Sequence, residues 1–449
     1  MFKSVQSEAD RVKIRALPWH LAHGALTNIF FLWTFGGSVF LLFLSELGLP
    51  KSQIGILLSF FPFSGLLALV FAPHAARLGR KRVFITCYAS RYFVIINLLF
   101  VPWILAQAGQ AAAVAFIFVV IITVAVLRAL GETAYYPWSQ EFVPNSVRGL
   151  YSAVFGAIGT LVCAAALVIA GRVVGSGTGL SRFMWLIGLG TACGLLGIIA
   201  MRWVPGGAPD RGEGGESAAH FAHMLAALRD PNLSAYMKGM GGVMVGSVLM
   251  TSFLPLYLKE RIGLPAGTVV TMDTVVMVGG ALFSILWGWA ADRVGSRPVL
   301  MSALAVSLLV PAGWLLLPRT VAQPVLWCGL LYFVYGVVSS GSSIGAGRLL
   351  FNGVIPPEKN TSYTAIYYAW MGLTGGVAPL FAGALLSAAS GFHLQIGPLA
   401  LDAYSILFCA GMAALVYGLA QYARVAPDGV YTTRGAIRML IGRLAPRRG

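Results

Sequence analysis

Four charged side chains stand inside stretches of sequence that are otherwise apolar. Arg128 and Glu132 lie four residues apart, so on a helix they share one face and can form an ion pair. Arg91 and Asp273 lie in two other apolar stretches. A charge at the centre of a bilayer costs about 2.5–3.5 kcal/mol on insertion scales, so such residues are usually paired and functional. These four residues are the first candidates for binding a proton or an ionic group of a substrate.

Each of these charged residues has a functional and a structural interpretation. Glu132 can take up and release a proton while Arg128 tunes its acidity or binds an anionic group, or the two can form a structural ion pair that orients the helix. Asp273 is a proton or cation site, a substrate contact, or a carboxylate near the rim hydrated by a central cavity. Arg91 is a substrate ligand, or a partner for lipid headgroups or a nearby carbonyl.

Hydroxyl and aromatic side chains gather in two later apolar stretches. Such groups around a cavity suit an uncharged or amphipathic organic substrate. An aromatic belt at the membrane interface, or core packing, produces the same pattern. The predicted cavity residues, which include two from the first apolar run, are Asn28, Trp33, Tyr135, Ser340, Ser343, Tyr363, Tyr367 and Trp370.

The composition shows which solvent surrounds these residues. Of the 449 residues, 58% are hydrophobic and only 10% are charged, whereas a soluble domain carries about a quarter charged residues. Lipid must therefore contact most of the surface. The net charge is +16, but the basic residues separate apolar runs and form no patch, which argues against a nucleic-acid partner. The five cysteines stand singly, so no metal site, disulfide or cofactor is predicted.

Twelve apolar runs are long enough to cross a bilayer, which requires about 20 residues of helix. The predicted spans are 22–44, 53–72, 83–105, 112–135, 150–171, 182–203, 237–258, 267–290, 298–317, 324–346, 362–387 and 400–422. Most of the 31 Lys and Arg residues fall on one side if both termini are cytoplasmic. We therefore expect a bacterial inner-membrane protein with cytoplasmic N- and C-termini.

The two halves of the chain repeat each other. Gly48-Leu49-Pro50 recurs as Gly263-Leu264-Pro265, and Gly79 corresponds to Gly295. Such marks at one spacing indicate a duplicated six-helix unit. The predicted organisation is a first bundle over 1–203, a cytoplasmic linker with an amphipathic helix over 204–236, a second bundle over 237–424 and a basic cytoplasmic tail over 425–449.

A cluster of glycine and charged residues lies between spans 8 and 9. It consists of Gly288, Asp292, Arg293, Gly295 and Arg297. Asp292 can cap a helix, Gly288 can let two helices approach, and Gly295 permits a tight reversal. The cluster resembles the G-x-x-x-D-R-x-G-R-[KR] loop motif of the major facilitator superfamily, which latches helices of the two halves in one conformational state.

The first-half copy of this motif keeps Arg77, Gly79 and Arg80 but has Ala76 where the family has Asp. An aspartate latch is therefore not available in that half. The segment from Leu127 to Gly131 resembles the superfamily's span-4 arginine motif, with the glycine one residue early. That resemblance implies proton coupling through the span that carries Arg128.

The predicted fold is an all-α membrane protein with twelve transmembrane helices in two pseudo-symmetric six-helix bundles. The predicted function is secondary active transport of a small organic solute by alternating access, coupled to protons, by a monomer surrounded by membrane lipids. The alternative is a flippase for a lipid or amphiphile, or a transporter-like sensor that moves no small solute. No enzymatic activity is predicted.

Overall fold

The computed structural model describes residues 8–209, 229–318, 322–355, 360–397 and 399–429. The first half of the chain forms helices α1 (Glu8–Thr34), α2 (Gly37–Glu46), α3 (Lys51–Ser64), α4 (Ala68–Leu78), α5 (Arg80–Ile95), α6 (Val101–Phe142), α7 (Arg148–Gly175) and α8 (Ser181–Ala200). Short 3-10 turns follow α3, α5 and α8. The predicted amphipathic helix of the linker and most of the basic tail lie outside the described residues.

The second half is also helical, apart from one β-hairpin. Its helices are α9 (Pro231–Thr251), α10 (Leu254–Tyr257), α11 (Ala266–Val294), α12 (Ser296–Ser307), α13 (Leu309–Leu316), α14 (Pro324–Leu349), α15 (Asn360–Ala388) and α16 (Ala403–Tyr422). The unpredicted hairpin pairs β1 (His393–Ile396) antiparallel with β2 (Leu399–Asp402). Single π-helical turns follow α10 and α14.

Ten described segments are long and apolar enough to cross a membrane. One of them, Arg80–Phe142, contains two crossings, because Gly109 within it has a φ of +79° and interrupts the helix. A shorter apolar helix, Lys51–Leu67, is followed directly by α4. With these two, the described residues account for the twelve predicted crossings.

The first span differs from its prediction over 22–44. The helix begins at Glu8 and includes Pro18, and it stops at Thr34 before α2 starts at Gly37. Gly37 has a φ of +58°, a conformation that interrupts a helix and that glycine adopts without strain. The polar residues before position 22 therefore extend the first helix, and this extension brings His20 into the structured part of the chain.

Equivalent glycines in the two halves adopt the same backbone conformation. Gly48 and Gly263 have φ values of +75° and +79°, and Gly79 and Gly295 have values of +95° and +93°. These positive φ values favour glycine over other residues. The repeated sequence marks thus correspond to repeated turns.

The described residues form two compact units. The first takes in those of Met1–Gly215 and Pro265–Thr274, and the second takes in those of Glu216–Leu264 and Val275–Gly449. The start of α11 therefore packs with the first unit, and the rest of that helix belongs to the second.

Close helix packing in the second unit depends on Gly242 of α9. A Cβ at this position would stand 2.9 Å from the Cα of Gly418 on α16. Replacing Gly242 by Ala should force the two helices apart, and overpacking costs about 1–3 kcal/mol. We expect a lower thermal midpoint for the purified protein. Gly288→Ala is the control, because that position has open space around it; equal midpoints for the two variants would contradict the prediction.

Candidate functional site

Charged, imidazole and phenol groups come together in the first unit, on helices α1, α5, α6 and α7. We call this set the polar cluster. Its members are His20, His23, Tyr88, Arg91, Tyr92, Arg128, Glu132, Tyr135 and Tyr151. Four of the nine, namely Arg91, Arg128, Glu132 and Tyr135, are candidates from the sequence.

Arg128 and Glu132 form the ion pair that their spacing allows. The Nε of Arg128 donates to Oε1 of Glu132 at 2.8 Å, and Nη2 donates to Oε2 at 3.2 Å. A two-point contact of this kind fixes both side chains in one plane. Each side chain remains 31% exposed. The pair is therefore accessible to a proton or a solute, which a fully buried structural pair would not be.

Arg91 is a buried cation enclosed by aromatic rings. Its side chain is 2% exposed, and its guanidinium carbon lies 3.5 Å from the centre of the Tyr88 ring. Nη2 donates to the hydroxyl of Tyr92 at 3.0 Å. The faces of such rings attract cations. At this degree of burial Arg91 does not reach lipid headgroups.

The polar cluster thus contains two guanidinium groups and one carboxylate. With neutral histidines, Arg91, Arg128 and Glu132 carry a net positive charge of one. A cluster with an excess cation favours a ligand that brings a negative group.

His20 links helices α6 and α7 through two phenols. Its Nε2 is 2.5 Å from the hydroxyl of Tyr135, and its Nδ1 contacts the hydroxyl of Tyr151. A neutral imidazole donates through one nitrogen and accepts through the other, so one phenol accepts and the other donates. The imidazole ring also stacks on Phe155 with centroids 5.0 Å apart. His20 is 4% exposed.

His23 lies one turn further along α1 and is equally buried. Its Nδ1 is 3.4 Å from the Oγ1 of Thr27, which is in turn 3.4 Å from the hydroxyl of Tyr92. A chain of polar contacts thus runs from His23 to the phenol that holds Arg91.

Asp273 accepts hydrogen bonds from the start of α2. The hydroxyl of Ser38 donates to its Oδ2 at 2.6 Å, and the backbone N–H of Ser38 lies 3.4 Å from the same oxygen. A carboxylate at a helix N-terminus is stabilised by the unpaired N–H groups there. Both residues belong to the first unit. Asp273 is therefore engaged by the protein rather than hydrated at a rim.

Removing the Ser38 hydroxyl should weaken this contact. Hydrogen bonds to charged groups contribute about 1.5–3 kcal/mol, so we expect Ser38→Ala to lower the thermal midpoint measurably. Ser45→Ala, on the same helix, serves as the control. A midpoint for Ser38→Ala equal to that of the control would show that the contact adds no stability.

The predicted cavity residues of the first apolar run occupy different environments. Trp33 is 8% exposed and donates its indole N–H to the carbonyl of Ala166 at 2.8 Å, so it packs α1 against α7. Asn28 is half-buried, near Gly159. Trp33 is thus committed to packing, whereas Asn28 retains partial exposure.

The aromatic candidates of the second unit mainly anchor α15 to its neighbours. Tyr363 donates to Oδ2 of Asp230 at 3.0 Å, and Trp370 donates to the carbonyl of Met237 at 2.7 Å. Tyr367 packs against the buried core of the same unit. These contacts account for the aromatic pattern without a ligand.

The serines of α14 differ in exposure. The hydroxyl of Ser340 returns to the carbonyl of Val337 at 2.9 Å, within its own helix. Ser343 is exposed.

The loop motif of the second unit is held together in a way that the sequence did not indicate. Asp292 pairs with Arg348 at 2.7 Å and does not cap a helix. The helix α12 is instead capped by Asp428, which accepts from the backbone N–H of Ser296 at 2.9 Å and of Arg297 at 3.2 Å. The side chain of Arg297 donates to the carbonyl of Ala423.

The remaining motif positions have separate roles. Gly288 has no atom near the place of a Cβ, so it does not serve close helix approach. The guanidinium of Arg293 lies 4.7 Å from the Trp289 ring centre. In the first unit Arg77 is exposed and Arg80 is partly buried.

Lys81 follows the first-half motif and holds the chain that leaves α8. Its Nζ donates to the carbonyls of Arg202 and Val204, at 2.8 and 2.7 Å. Lys81 and Arg297 therefore make corresponding contacts in the two halves. Lys81 donates to carbonyls just beyond α8, and Arg297 donates to a carbonyl just beyond α16.

Five members of the polar cluster were missed by sequence reasoning. His20 lies before residue 22, where the first span was predicted to start. It was therefore not placed on one helix face with His23, three residues later. Tyr88 and Tyr92 stand three residues before and one after Arg91. Because residues three and four apart share a helix face, Tyr88 could have been associated with Arg91.

No group of three or more His, Cys, Asp or Glu side chains that could hold a metal occurs among the residues described. Long apolar helices in two repeated halves define an integral membrane protein. The chain belongs to the Major Facilitator Superfamily, whose family model matches residues 21–379 and again 244–430.

Two curated proteins are similar over part of the chain. The ectoine/proline transporter ProP of Corynebacterium glutamicum is 26% identical over 140 residues, which cover 30% of this chain and 27% of that protein. The gallate transporter of Pseudomonas putida is 28% identical over 179 residues, covering 38% and 36%. The chain thus spans about a quarter to a third of the length of these relatives.

Solved structures share the fold over nearly the whole chain. A mutant of the nucleoside transporter NupG has a TM-score of 0.70 at 14% identity, covering 92% of this chain and 99% of its own. The D-xylose-proton symporter has a TM-score of 0.65 at 14% identity, covering 94% and 98%. At such identities the likeness concerns the fold.

Proposed function

We propose that this protein is a proton-coupled secondary transporter that moves a small carboxylate-bearing organic solute by alternating access. The observation that carries the proposal is the bidentate pair of Arg128 and Glu132, partly exposed within a cluster that has an excess positive charge. Membership of the Major Facilitator Superfamily supports transport as the general activity.

Coupling follows from competition for one guanidinium. While Glu132 is ionised, its two oxygens occupy the donors of Arg128. A proton on Glu132 removes its negative charge, and Arg128 can then bind a carboxylate of the solute in the same two-point geometry. Departure of the solute restores the original pair as the proton leaves. Proton and solute therefore bind together.

The relatives agree with this substrate chemistry. Their names give ectoine, proline and gallate as solutes, and each of these molecules contains a carboxylate. The aromatic rings around Arg91 and His20 offer flat apolar surface next to the charged pair. We propose a solute with one carboxylate on a compact or ring-shaped body.

The setting that we propose is the bacterial cytoplasmic membrane, with both termini cytoplasmic and the protein active as a monomer. The two bundles are proposed over 1–203 and 237–424, joined by the linker 204–236 and followed by the tail 425–449. We propose that the protein has no enzymatic activity and that it binds neither a cofactor nor nucleic acid.

Uptake into proteoliposomes tests the proposal directly. Purified protein should take up a radiolabelled carboxylated solute against its gradient when the outside is made acidic, and should acidify the lumen as it does so. Proline, ectoine and gallate are the first solutes to test, and xylose is the uncharged control. Solute uptake that is unaffected by the pH gradient would reject proton coupling.

A further inference from the structure

A cavity of about 570 Å³ opens in the second unit between the start of α9 and the end of α16. Its residues are distant in sequence from every member of the polar cluster, and five of its eight lining residues have polar side chains. The polar and charged lining residues are Asn232, Ser234, Lys238, Gln421 and Arg424. A volume of this size is in the range of small-molecule sites.

Two cations line this cavity without a counter-charge. Lys238 and Arg424 are both exposed, and neither forms an ion pair with a carboxylate of the described residues. Neither of the two acids nearest to these residues in sequence, Asp230 and Asp428, lines the cavity. Asp230 accepts from the backbone at the start of α9 and from Tyr363, and Asp428 caps α12. The cavity therefore favours an anion.

Its neutral polar groups are arranged around the same space. Asn232 is fixed, because its side-chain N–H donates to the carbonyl of Gly353 at 3.1 Å and its oxygen accepts from the N–H of Ala426 at 2.8 Å. Ser234 and Gln421 also line the cavity. These groups can donate to oxygens of a bound anion.

The position of the cavity suits a ligand that is anchored in the membrane. Lys238 is seven residues into α9, about 10 Å from its start at 1.5 Å per residue, and Arg424 follows the last residue of α16 by two. Tyr417 and Gln421 share one face of α16 by their spacing, and Tyr417 is 48% exposed. A basic cavity thus lies where two membrane helices end, and the exposed Tyr417 stands one helical turn from its lining residue Gln421.

We infer that this cavity binds the phosphate headgroup of an anionic phospholipid, with an acyl chain lying against Tyr417. In the orientation proposed above, the cavity faces the cytoplasmic leaflet, where basic pockets between helices recruit anionic lipids. Lys238 extends along its apolar stem to place the ammonium at the headgroup level. The same phosphate chemistry is presented by inorganic phosphate, which lacks the acyl chain.

Thermal unfolding of the full-length purified protein in detergent distinguishes the ligands. Phosphatidylglycerol should raise the thermal midpoint in a saturable manner, whereas phosphatidylcholine and inorganic phosphate should not. A rise with inorganic phosphate equal to that with phosphatidylglycerol would replace the lipid by a soluble anion and overturn the proposal. An equal rise with phosphatidylcholine would also overturn it, because the headgroup charge would then be irrelevant.

Charge-removing variants assign the effect to the cavity. The double variant Lys238→Gln and Arg424→Gln should weaken the apparent affinity for phosphatidylglycerol by about 30-fold, with an unchanged midpoint in the absence of lipid. Arg229→Gln removes a neighbouring exposed charge that does not line the cavity, and it should bind lipid normally. Native mass spectrometry provides a second readout through the number of phosphatidylglycerol molecules retained. Equal retention by the double variant and the Arg229 control would contradict the assignment.

Discussion

Replacing Glu132 by Gln should abolish proton-driven accumulation of the solute while solute exchange continues. The amide cannot cycle between a charged and a neutral state, and it no longer neutralises Arg128. A proton that crosses 100 mV supplies about 2.3 kcal/mol, enough for accumulation of about 50-fold. The variant should instead only equilibrate the solute across the membrane, as measured in proteoliposomes with an imposed pH gradient.

Exchange should also lose its dependence on pH in this variant. With Glu132→Gln, the guanidinium of Arg128 is available to a carboxylate at every pH, so counterflow should be as fast at alkaline as at neutral pH. Glu46→Gln is the matched control, because Glu46 also pairs with an arginine of the first unit, Arg182, at 3.2 Å. It should retain accumulation. Normal proton coupling in Glu132→Gln would remove Glu132 from the mechanism.

Replacing Arg128 should weaken exchange as well as accumulation, and this separates its role from that of Glu132. Hydrogen bonds to charged groups contribute about 1.5–3 kcal/mol, so we expect the half-saturating solute concentration to rise about 10- to 100-fold in Arg128→Gln. Arg128→Lys keeps the charge but loses the planar fork that engages two oxygens. It should therefore show an intermediate defect in counterflow.

The structural interpretation of the pair predicts a different pattern. If the pair only orients α6, the double variant Arg128→Gln and Glu132→Gln should recover exchange, because no unpaired charge remains. If Arg128 binds the solute, the double variant should be as weak in exchange as Arg128→Gln alone. Arg182 pairs with Glu46 in the same unit, and Arg182→Lys is the control for losing the planar guanidinium while keeping the charge. Recovery of exchange in the double variant would contradict solute binding by Arg128.

The two experiments also separate transport from the lipid site. The polar cluster contains none of the cavity residues Lys238, Gln421 or Arg424, so the variants of one site should leave the binding assay of the other unchanged. A protein that fails every transport test can still bind phosphatidylglycerol, and the reverse also holds.

The amino-acid sequence alone determined the class of this protein. Its hydrophobic content and twelve apolar runs require lipid contact and a helical fold, because backbone polar groups in a bilayer must be satisfied within the segment. The spacing of Arg128 and Glu132 was sufficient to predict their ion pair, because residues four apart on a helix are neighbours. The repeat of Gly48 at Gly263 predicted a duplicated unit. These features depend on local geometry.

Only the tertiary structure determines which residues surround the pair of Arg128 and Glu132. His20 meets Tyr135 and Tyr151 across more than a hundred residues of chain, and no local period encodes such a contact. The cap of α12 by Asp428 is also a long-range contact. The N–H groups at a helix start can donate to any suitably placed carboxylate, not only to the nearest one in sequence. Tyr363 and Trp370 looked like cavity residues, and their hydrogen bonds to Asp230 and Met237 became visible only after folding. These contacts depend on long-range packing, and sequence periodicity does not specify such packing.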